Sequence, residues 1–272
     1  MKSRKMSWEI MRKVAVMALC LCMITAFAAC GSSSDTGEPA EKEYVKDDEI
    51  AKVLKDPDAY KGKYIRIGGK VFNIDREGDT MSVQAWHDTA NSEEDFLAYM
   101  DTKEDFKVDD YVIVDGYIEG VFDGENAFGG EVHTPQIKAE SIEKSTYQDV
   151  AAPTLQEKEV DKSKKQHGVK VTLKKVEYAE SETRLYVTVK NKSKDKVSIY
   201  TGSAKLVQNG KQYEPEDNWE ADYPSIDEVA AGASADGIIC FKPLDPEKEA
   251  KLILEAYSDD YEIEMKDFKI KF

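Results

Sequence analysis

Histidine is the side chain used most often as a metal ligand and general base, and this chain contains three: His87, His133 and His167. His87 lies beside Asp88 at the end of a strand-like segment, and His133 lies near another, so a shared metal site is one interpretation. A zinc site needs three or four nitrogen, sulfur or carboxylate ligands. Neither a cysteine nor a close second histidine accompanies His87 or His133. We therefore interpret both as exposed residues at strand ends and expect no bound metal.

The carboxylates are numerous, but their spacing matches no catalytic or calcium-binding motif. The acidic runs at 75–79 and 217–222 lack the oxygen spacing of an EF-hand loop. A metal-dependent nuclease would need paired carboxylates with an arginine to hold phosphate. Arg66 and Arg76 are the only arginines in residues 44–146, so the sequence gives little support for a nuclease. No glycine-rich phosphate loop and no G-x-S-x-G motif occurs. We expect a protein that is not an enzyme and uses no cofactor.

The first 29 residues have the three parts of a secretory signal peptide. Five basic residues and one acidic residue lie among the first thirteen, and residues 14–29 carry no charge. The uncharged run is shorter than the about 20 apolar residues that span a membrane, and a polar segment follows it at once. We predict cleavage after Ala29; the alternative is an uncleaved N-terminal anchor helix.

The segment Phe27-Ala28-Ala29-Cys30-Gly31 resembles the lipobox of bacterial lipoproteins, with phenylalanine in place of the preferred leucine. In that family the cysteine is acylated and becomes the first residue of the mature chain. The resemblance implies lipidation of Cys30 and attachment to the cell membrane, facing outside the cytoplasm. Cys20 and Cys22 fit the motif poorly because each follows a leucine. Two acyl chains hold a protein on a membrane stably, whereas one chain binds only marginally.

Cleavage and lipidation leave Cys240 as the single free thiol of the mature chain. One thiol cannot form an intramolecular disulfide, so stability must come from burial. Cys240 lies in the apolar run Ile238–Phe241, and no flanking base or cation marks it as a nucleophile. We predict a buried thiol that acts only in packing.

The charge of the mature chain excludes nucleic acid as a partner. Removal of residues 1–29 leaves 33 basic and 53 acidic residues, a net charge of −20 with histidine neutral. Residues 44–146 alone carry 12 basic and 24 acidic side chains, a net charge of −12. Such surfaces repel phosphate backbones and anionic lipid headgroups.

Two polar segments divide the mature chain. Residues 30–43 and 147–167 lack apolar periodicity, and we interpret them as a flexible stalk and a linker. The intervening blocks, 44–146 and 168–272, each have the size of a small domain. We expect the two blocks to fold independently.

The first block has the pattern of a five-stranded barrel. A short helix over residues 50–54 opens it, and Gly68-Gly69 bends the first strand. EEDFLAYM, residues 93–100, is predicted to be a helical insert. This arrangement favours an OB-like barrel. The segments YKGKYIRIGGKV, DYVIVDGYIEG and PQIKAESIE resemble the tRNA-anticodon-like OB family, which includes many bacterial lipoproteins, and the resemblance implies a fold rather than a function.

The second block alternates apolar and polar residues more regularly, and Asn209-Gly210 predicts a two-residue hairpin turn. About seven strands at this spacing favour an Ig-like β-sandwich. RLYVTVKNKSKDKVSIY and the later VAAGASADGIICFKPLD resemble an immunoglobulin-like domain of unknown function that is common in Gram-positive lipoproteins. That family has an Asn-x-Ser strand end, a glycine turn and a nearby proline, which here are Asn191-Lys192-Ser193, Gly232 and Pro243. The acidic segment 216–230 is longer than a tight connection between strands needs, so one alternative is that this segment is a functional loop.

The alternation of inward and outward side chains along the strands predicts a candidate ligand face on the first block. If Val83, Ala85 and the alternate residues of DYVIVDGYIEG point into the barrel, four apolar side chains point outward: Trp86, Tyr111, Ile113 and Tyr117. OB barrels bind ligands on the outer face of their second and third strands. An aromatic surface there would stack on sugars or hold an extended peptide. The alternative is that the 93–100 helix covers this face.

Together these observations favour a non-catalytic, membrane-tethered extracytoplasmic lipoprotein that binds a ligand or another protein. The expected partners are the membrane, through the lipid on Cys30, and an envelope protein, a peptide or a neutral glycan. One alternative is a structural spacer or envelope accessory protein that binds no small molecule. A minor alternative is a hydrolase whose site the sequence does not reveal.

Overall fold

The computed structural model describes residues 41–125 and 131–272, and in these ranges the protein is mainly β with several sheets. The signal peptide predicted over residues 1–29, the lipidation site Cys30 and the stalk up to residue 40 lie outside the described residues. Within the described ranges, no helix has the length and apolar character needed to cross a membrane.

Five long strands make up the first block: β1 Tyr64–Glu77, β2 Thr80–Asp88, β3 Glu93–Asp101, β4 Tyr111–Glu125 and β5 Glu131–Ser145. They close into a barrel in the order β1-β2-β3-β5-β4. Neighbouring strands are antiparallel, except that β3 and β5 pair in parallel. Inward and outward residues alternate along β2, where Met81, Val83 and Ala85 are fully buried. Because apolar residues alternate with polar ones, only an extended strand buries all of the apolar side chains on one face. Burial of that face also fixes the register between neighbouring strands.

The helix expected at the start of the first block is present as α1, Ile50–Lys55. Short 3₁₀ turns, Asp47–Glu49 and Pro57–Tyr60, lie on either side of it. Val53 of α1 is fully buried in the barrel core. The helix ends before Pro57 because the residue preceding a proline is forced out of the helical conformation.

The prediction of a helical insert at residues 93–100 is wrong, because this segment forms β3. Phe96, Leu97 and Ala98 are all buried, and the strand pairs with β2 on one side and β5 on the other. Helix propensity is a weak preference that such pairing overrides. As a consequence, DYVIVDGYIEG is the fourth strand of the barrel and does not follow β2 directly.

The second block consists of eleven strands in the described chain: β6 Gln156–Gln166, β7 Val169–Tyr178, β8 Thr183–Asn191, β9 Val197–Ser198, β10 Lys205–Gln208, β11 Lys211–Tyr213, β12 Glu228–Val229, β13 Ser234–Phe241, β14 Ala250–Leu254, β15 Tyr257–Ser258 and β16 Phe268–Lys271. They form three sheets in the orders β13-β8-β7-β6, β11-β10-β14-β16 and β12-β9-β15. A 3₁₀ turn, Thr201–Ser203, lies between β9 and β10. Apolar side chains of these sheets share one hydrophobic core.

The interpretation of residues 147–167 as a linker is wrong for most of that segment. Residues 156–166 form β6, which pairs with β7 at the edge of the four-stranded sheet. The strand is almost entirely polar and largely exposed, so it shows no apolar stripe. Charged side chains are typical of edge strands because they discourage pairing with other chains.

The local turn signals of the second block are confirmed. Asn209 and Gly210 have positive φ values of 51° and 77° and join β10 to β11. Asn191 is buried at the end of β8, where its Nδ2 donates to the carbonyl oxygens of Asp195 and Val229 at 2.8 and 3.0 Å. The Asn-x-Ser pattern therefore organises a loop, since Asn191 Oδ1 also accepts from the backbone and hydroxyl of Ser193.

A one-turn helix, α2 Tyr147–Val150, lies between the barrel and the first strand of the second block. Thr146 caps it by accepting a hydrogen bond from the backbone N–H of Asp149 at 3.2 Å. Val150 packs on β1 so closely that a Cβ added at Gly68 would lie 3.2 Å from its side chain. Residues 42–272 form one compact unit.

Candidate functional site

The four side chains predicted to form a ligand face, Trp86, Tyr111, Ile113 and Tyr117, are all partly exposed on the outside of the barrel. Their neighbours of opposite parity, such as Val83 and Val112, are fully buried. However, β2 and β4 lie on opposite sides of β1 rather than next to each other. The predicted face therefore spans three neighbouring strands, with β1 between Trp86 on β2 and the other three residues on β4.

Trp86 lies in an aromatic stack on the outer surface of β1 and β2. Its indole packs on the ring of Phe72 with centroids 4.4 Å apart and an interplanar angle of 21°. Lys70 of β1 is the register partner of both Trp86 and Tyr111, so it separates the two aromatic residues. Trp86 and Tyr111 thus flank a lysine instead of forming a continuous platform.

Tyr111 forms a hydrogen bond with a residue of the second block. Its hydroxyl donates to Glu220 Oε2 at 2.9 Å, and Lys70 Nζ lies 3.1 Å from Glu220 Oε1. Burial and the hydrogen bond to Glu220 raise the pKa of Tyr111 above its ordinary value. The acidic segment that the sequence left unexplained therefore contacts the predicted ligand face directly.

The centre of the predicted face lies beside α2. Ile113 is the register partner of Gly68, on which Val150 packs. Tyr117, in the middle of β4, has different neighbours from Trp86 and Tyr111.

Tyr117 belongs to a row of three tyrosines, Tyr44, Tyr64 and Tyr117, which we call the tyrosine stripe. The ring centroids of Tyr44 and Tyr64 are 5.5 Å apart, and those of Tyr64 and Tyr117 are 6.1 Å apart. The stripe crosses from the chain before the barrel to β1 and β4. Tyr44 is 42% exposed. Sequence parity identified only Tyr117, because the positions of Tyr44 and Tyr64 depend on pairing between distant segments.

The hydroxyl groups of the stripe are fixed by carboxylates of neighbouring strands. Tyr44 donates to Asp115 at 2.8 Å, and Tyr64 donates to Glu140 at 3.0 Å. These hydrogen bonds are the main reason that the pKa values of both tyrosines lie above the ordinary value.

The same two carboxylates are also paired with basic side chains. Asp115 lies 3.8 Å from Arg66, and Glu140 forms an ion pair with Lys42, whose amine lies 4.6 Å from the Tyr64 ring centroid. The charges beside the stripe are thus locally balanced, although the block as a whole is strongly acidic.

Sequence reasoning missed a buried charged group, which we call the arginine cluster: Glu177, Glu182 and Arg184. Arg184 is fully buried, and its guanidinium lies 3.0 Å from Glu177 and 2.8 Å from Glu182. Arg184 also donates to the carbonyl oxygen of Ala152 at 2.8 Å. Burial raises the pKa of Glu177, but hydrogen bonds from Lys175 and Tyr186 outweigh it and lower the pKa overall.

The prediction that Cys240 is a free, buried thiol is confirmed. Its Sγ lies 3.2 Å from Glu182 Oε2, on the sheet face opposite the core residues Ile239 and Phe241. Burial, followed by the charge of Glu182, raises the pKa of the Cys240 thiol. A thiol held protonated in this way is a poor nucleophile.

The histidines have ordinary structural surroundings. His87 Nδ1 lies 2.9 Å from the carbonyl oxygen of Gly68, and the exposed His133 lies 2.5 Å from Asp123. Among the described residues, no group of three or more histidine, cysteine or acidic side chains converges as a metal site would require.

Comparisons with known proteins find no matching family model and no matching curated protein. Solved structures resemble parts of the chain. The Bacillus subtilis protein ycdA, provisionally classed as a lipoprotein, is 19% identical over 42% of this chain, with a TM-score of 0.34. The match spans only 39% of ycdA.

Two further structures match at a similar level. A functionally unknown protein from Listeria monocytogenes is 14% identical, with a TM-score of 0.34 and coverage of 44% of this chain and 86% of that one. A conserved domain protein from Bacillus anthracis is 13% identical, with a TM-score of 0.32 and coverage of 75% and 65%. Similarities of this size assign the chain to no family.

Proposed function

We propose that this protein is an extracytoplasmic lipoprotein, tethered to the membrane through Cys30, that binds an envelope ligand without catalysing a reaction. The tether is supported by the signal-like N-terminus and by the resemblance of residues 27–31 to a lipobox. An OB-like barrel followed by an Ig-like sandwich is supported by the closed five-stranded barrel and by the antiparallel sheets that share one hydrophobic core.

The tyrosine stripe is the observation that carries the binding function. Three rings stand in a row on an outer sheet surface, and tyrosine supplies a large contact area with few rotatable bonds. Because Asp115 and Glu140 fix two of the hydroxyls, little side-chain entropy remains to be lost on binding. Lys42 lies over the Tyr64 ring, but it is an exposed, flexible side chain that a ligand can displace.

The ligand class that fits the stripe best is a neutral glycan. Aromatic rings stack on the apolar faces of sugars, and the basic and acidic groups beside the stripe already neutralise one another. The net charge of −12 over residues 44–146 disfavours a polyanion.

The tether is tested by replacing the proposed acylated residue. Wild type expressed in a Gram-positive host should incorporate an alkyne fatty acid, and Cys30→Ser should not. Labelling that persists in Cys30→Ser would contradict attachment of the lipid through Cys30.

The binding site is tested by calorimetric titration with soluble, uncharged cell-wall glycan. Tyr44→Ala should weaken binding about 10-fold, the loss expected when one stacking surface is removed. Tyr200→Ala is the matched control, because Tyr200 lies in the second block and is 45% exposed, close to the 42% of Tyr44. Equal effects of the two substitutions would argue against the stripe. Binding of a cationic peptide in place of glycan, weakened by Tyr44→Ala, would change the ligand class of the stripe.

The spacer alternative is favoured by a different observation, the contact of Glu220 with Lys70 and Tyr111. This contact links the barrel to the second block and restricts motion between them. If wild type binds no envelope glycan or peptide, the spacer becomes the better proposal.

A further inference from the structure

Trp219 is an unusually exposed large side chain, with 80% of its surface open to solvent. It lies in residues 214–228, which we call the acidic loop. These residues carry seven acidic side chains and no lysine or arginine. Tryptophan is enriched in the centres of protein interfaces and is uncommon as an isolated surface residue.

The backbone around Trp219 is held in a turn. The N–H of Ala221 donates to the carbonyl oxygen of Asn218 at 3.2 Å and to its Oδ1 at 3.3 Å. The turn places Trp219 at its corner, where the side chain projects away from the chain.

The residues on either side of Trp219 are anchored to different parts of the protein. Asn218 Nδ2 donates to Glu182 at 3.0 Å, in the arginine cluster of the second block. Glu220 accepts from Lys70 and Tyr111 of the barrel at 3.1 and 2.9 Å. The backbone that carries the indole is therefore held in place on both sides, and preorganisation of this kind reduces the entropy lost on association.

A cleft of about 370 Å³ lies next to this turn. Its lining includes Asp217, Asn218, Tyr223 and Asp227 from the acidic loop, with Cys240 below them. The volume is at the small end of the range for ligand pockets, and suits an inserted side chain better than a whole ligand. Lysines outside the loop pair with three of its carboxylates: Lys242 with Glu216, Lys70 with Glu220 and Lys196 with Glu228. The carboxylates of Asp217 and Asp227 line the cleft and supply its negative charge.

From these features we infer that the acidic loop is a docking surface for a cationic protein segment. Trp219 inserts into an apolar pocket of the partner, while a lysine or arginine of the partner enters the acidic cleft. Charge complementarity selects the partner and accelerates association, and the buried indole supplies most of the affinity. This surface is separate from the tyrosine stripe, so either site can be present without the other.

The test uses a defined probe, a synthetic peptide that alternates lysine and leucine, with a second peptide in which glutamate replaces lysine. The mature chain carries Cys30→Ser so that no lipid competes for the peptide. Calorimetry should show binding of the lysine peptide that weakens with salt, and at least about a 10-fold loss of affinity in Trp219→Ala. Asp217→Asn should weaken binding less, because it removes one of several charges.

Tyr261→Ala is the matched control, because Tyr261 is fully exposed within the acidic segment 259–264. Its affinity should equal that of wild type. In a Trp86→Phe background, Trp219 is the only tryptophan after the signal peptide, and its emission should shift to shorter wavelength on binding. The inference is overturned if wild type does not bind the lysine peptide, if the glutamate peptide binds equally, or if Trp219→Ala and Tyr261→Ala behave alike.

Discussion

Arg184 is a fully buried cation whose partners come from separate segments of the chain. Replacing it with alanine would remove the basic partner of the buried Glu182 and leave Glu177 paired with Lys175. Breaking a buried ion pair in this way costs about 3–5 kcal/mol. We expect Arg184→Ala to lower the free energy of unfolding by that amount, as measured by urea denaturation of the mature chain.

Arg66 supplies the control for this prediction. Its side chain is 55% exposed, and it lies 3.8 Å from Asp115. An exposed ion pair contributes at most about 1 kcal/mol, so Arg66→Ala should change stability little. If the two variants lost the same free energy of unfolding, the prediction that the buried ion pairs of Arg184 stabilise the fold would be wrong.

Two single residues, Cys240 and Arg184, show what the pattern of one strand can predict and what it cannot. Cys240 was correctly predicted to be buried, because it lies in an apolar run. Arg184 was not recognised, because in TRLYV it occupies a position that alternation assigns to the outer face of a strand. That face is covered by Ala152, Thr154 and their neighbours. The pattern of one strand contains no information about which distant segment packs over it.

At the scale of elements, β4 and β5 approach each other closely at Gly116, where their register shifts. A Cβ there would overlap the carbonyl oxygen of Lys138 and lie 2.7 Å from the Cα of Ala139. These are backbone atoms that cannot move aside without disturbing the barrel. Gly116→Ala should therefore lower the melting temperature and cost at least about 1–3 kcal/mol.

Gly202 is the matched glycine for that measurement. A Cβ at Gly202 would meet nothing within 4 Å, and its φ is not positive. Gly202→Ala should leave the melting temperature nearly unchanged. A Gly116→Ala protein as stable as Gly202→Ala would contradict the close contact between β4 and β5.

The elements that could be predicted are those determined by local chemistry. Asn209-Gly210 gives a hairpin because both residues accept positive φ, and α1 ends where a proline follows. The helix predicted over residues 93–100 is wrong because the local pattern of EEDFLAYM suits a helix, whereas its pairing with β2 and β5 depends on distant segments. β6 was missed because a polar edge strand lacks the alternation that identifies strands.

At the scale of the whole molecule, the position of β6 changes the boundary between the blocks. A fragment of residues 165–272 lacks nearly all of β6, whose Val160 packs against the core of the second block. We expect residues 151–272 to unfold cooperatively at a higher temperature than residues 165–272, as followed by circular dichroism. Equal melting temperatures would mean that β6 contributes nothing to the second block.

The overall arrangement also explains why the sequence predicted only part of the surroundings of the proposed ligand face. Parity correctly placed Trp86, Tyr111, Ile113 and Tyr117 on the outside of the barrel. Their exposure to solvent depends on α2 and the acidic loop, which are distant in sequence but pack against this part of the barrel. Tyr117 acquires its partners, Tyr44 and Tyr64, through the same long-range pairing.

The most direct test of the proposed function is to locate a bound glycan by NMR on the mature Cys30→Ser chain with labelled aromatic rings. Titration with soluble, uncharged cell-wall glycan should shift the ring signals of Tyr44, Tyr64 and Tyr117 together and with one dissociation constant. The signals of Phe72, Trp86 and Tyr200 should stay in place. Shifts at Phe72 and Trp86 with an unaffected tyrosine stripe, or no shifts at saturating glycan, would contradict the account.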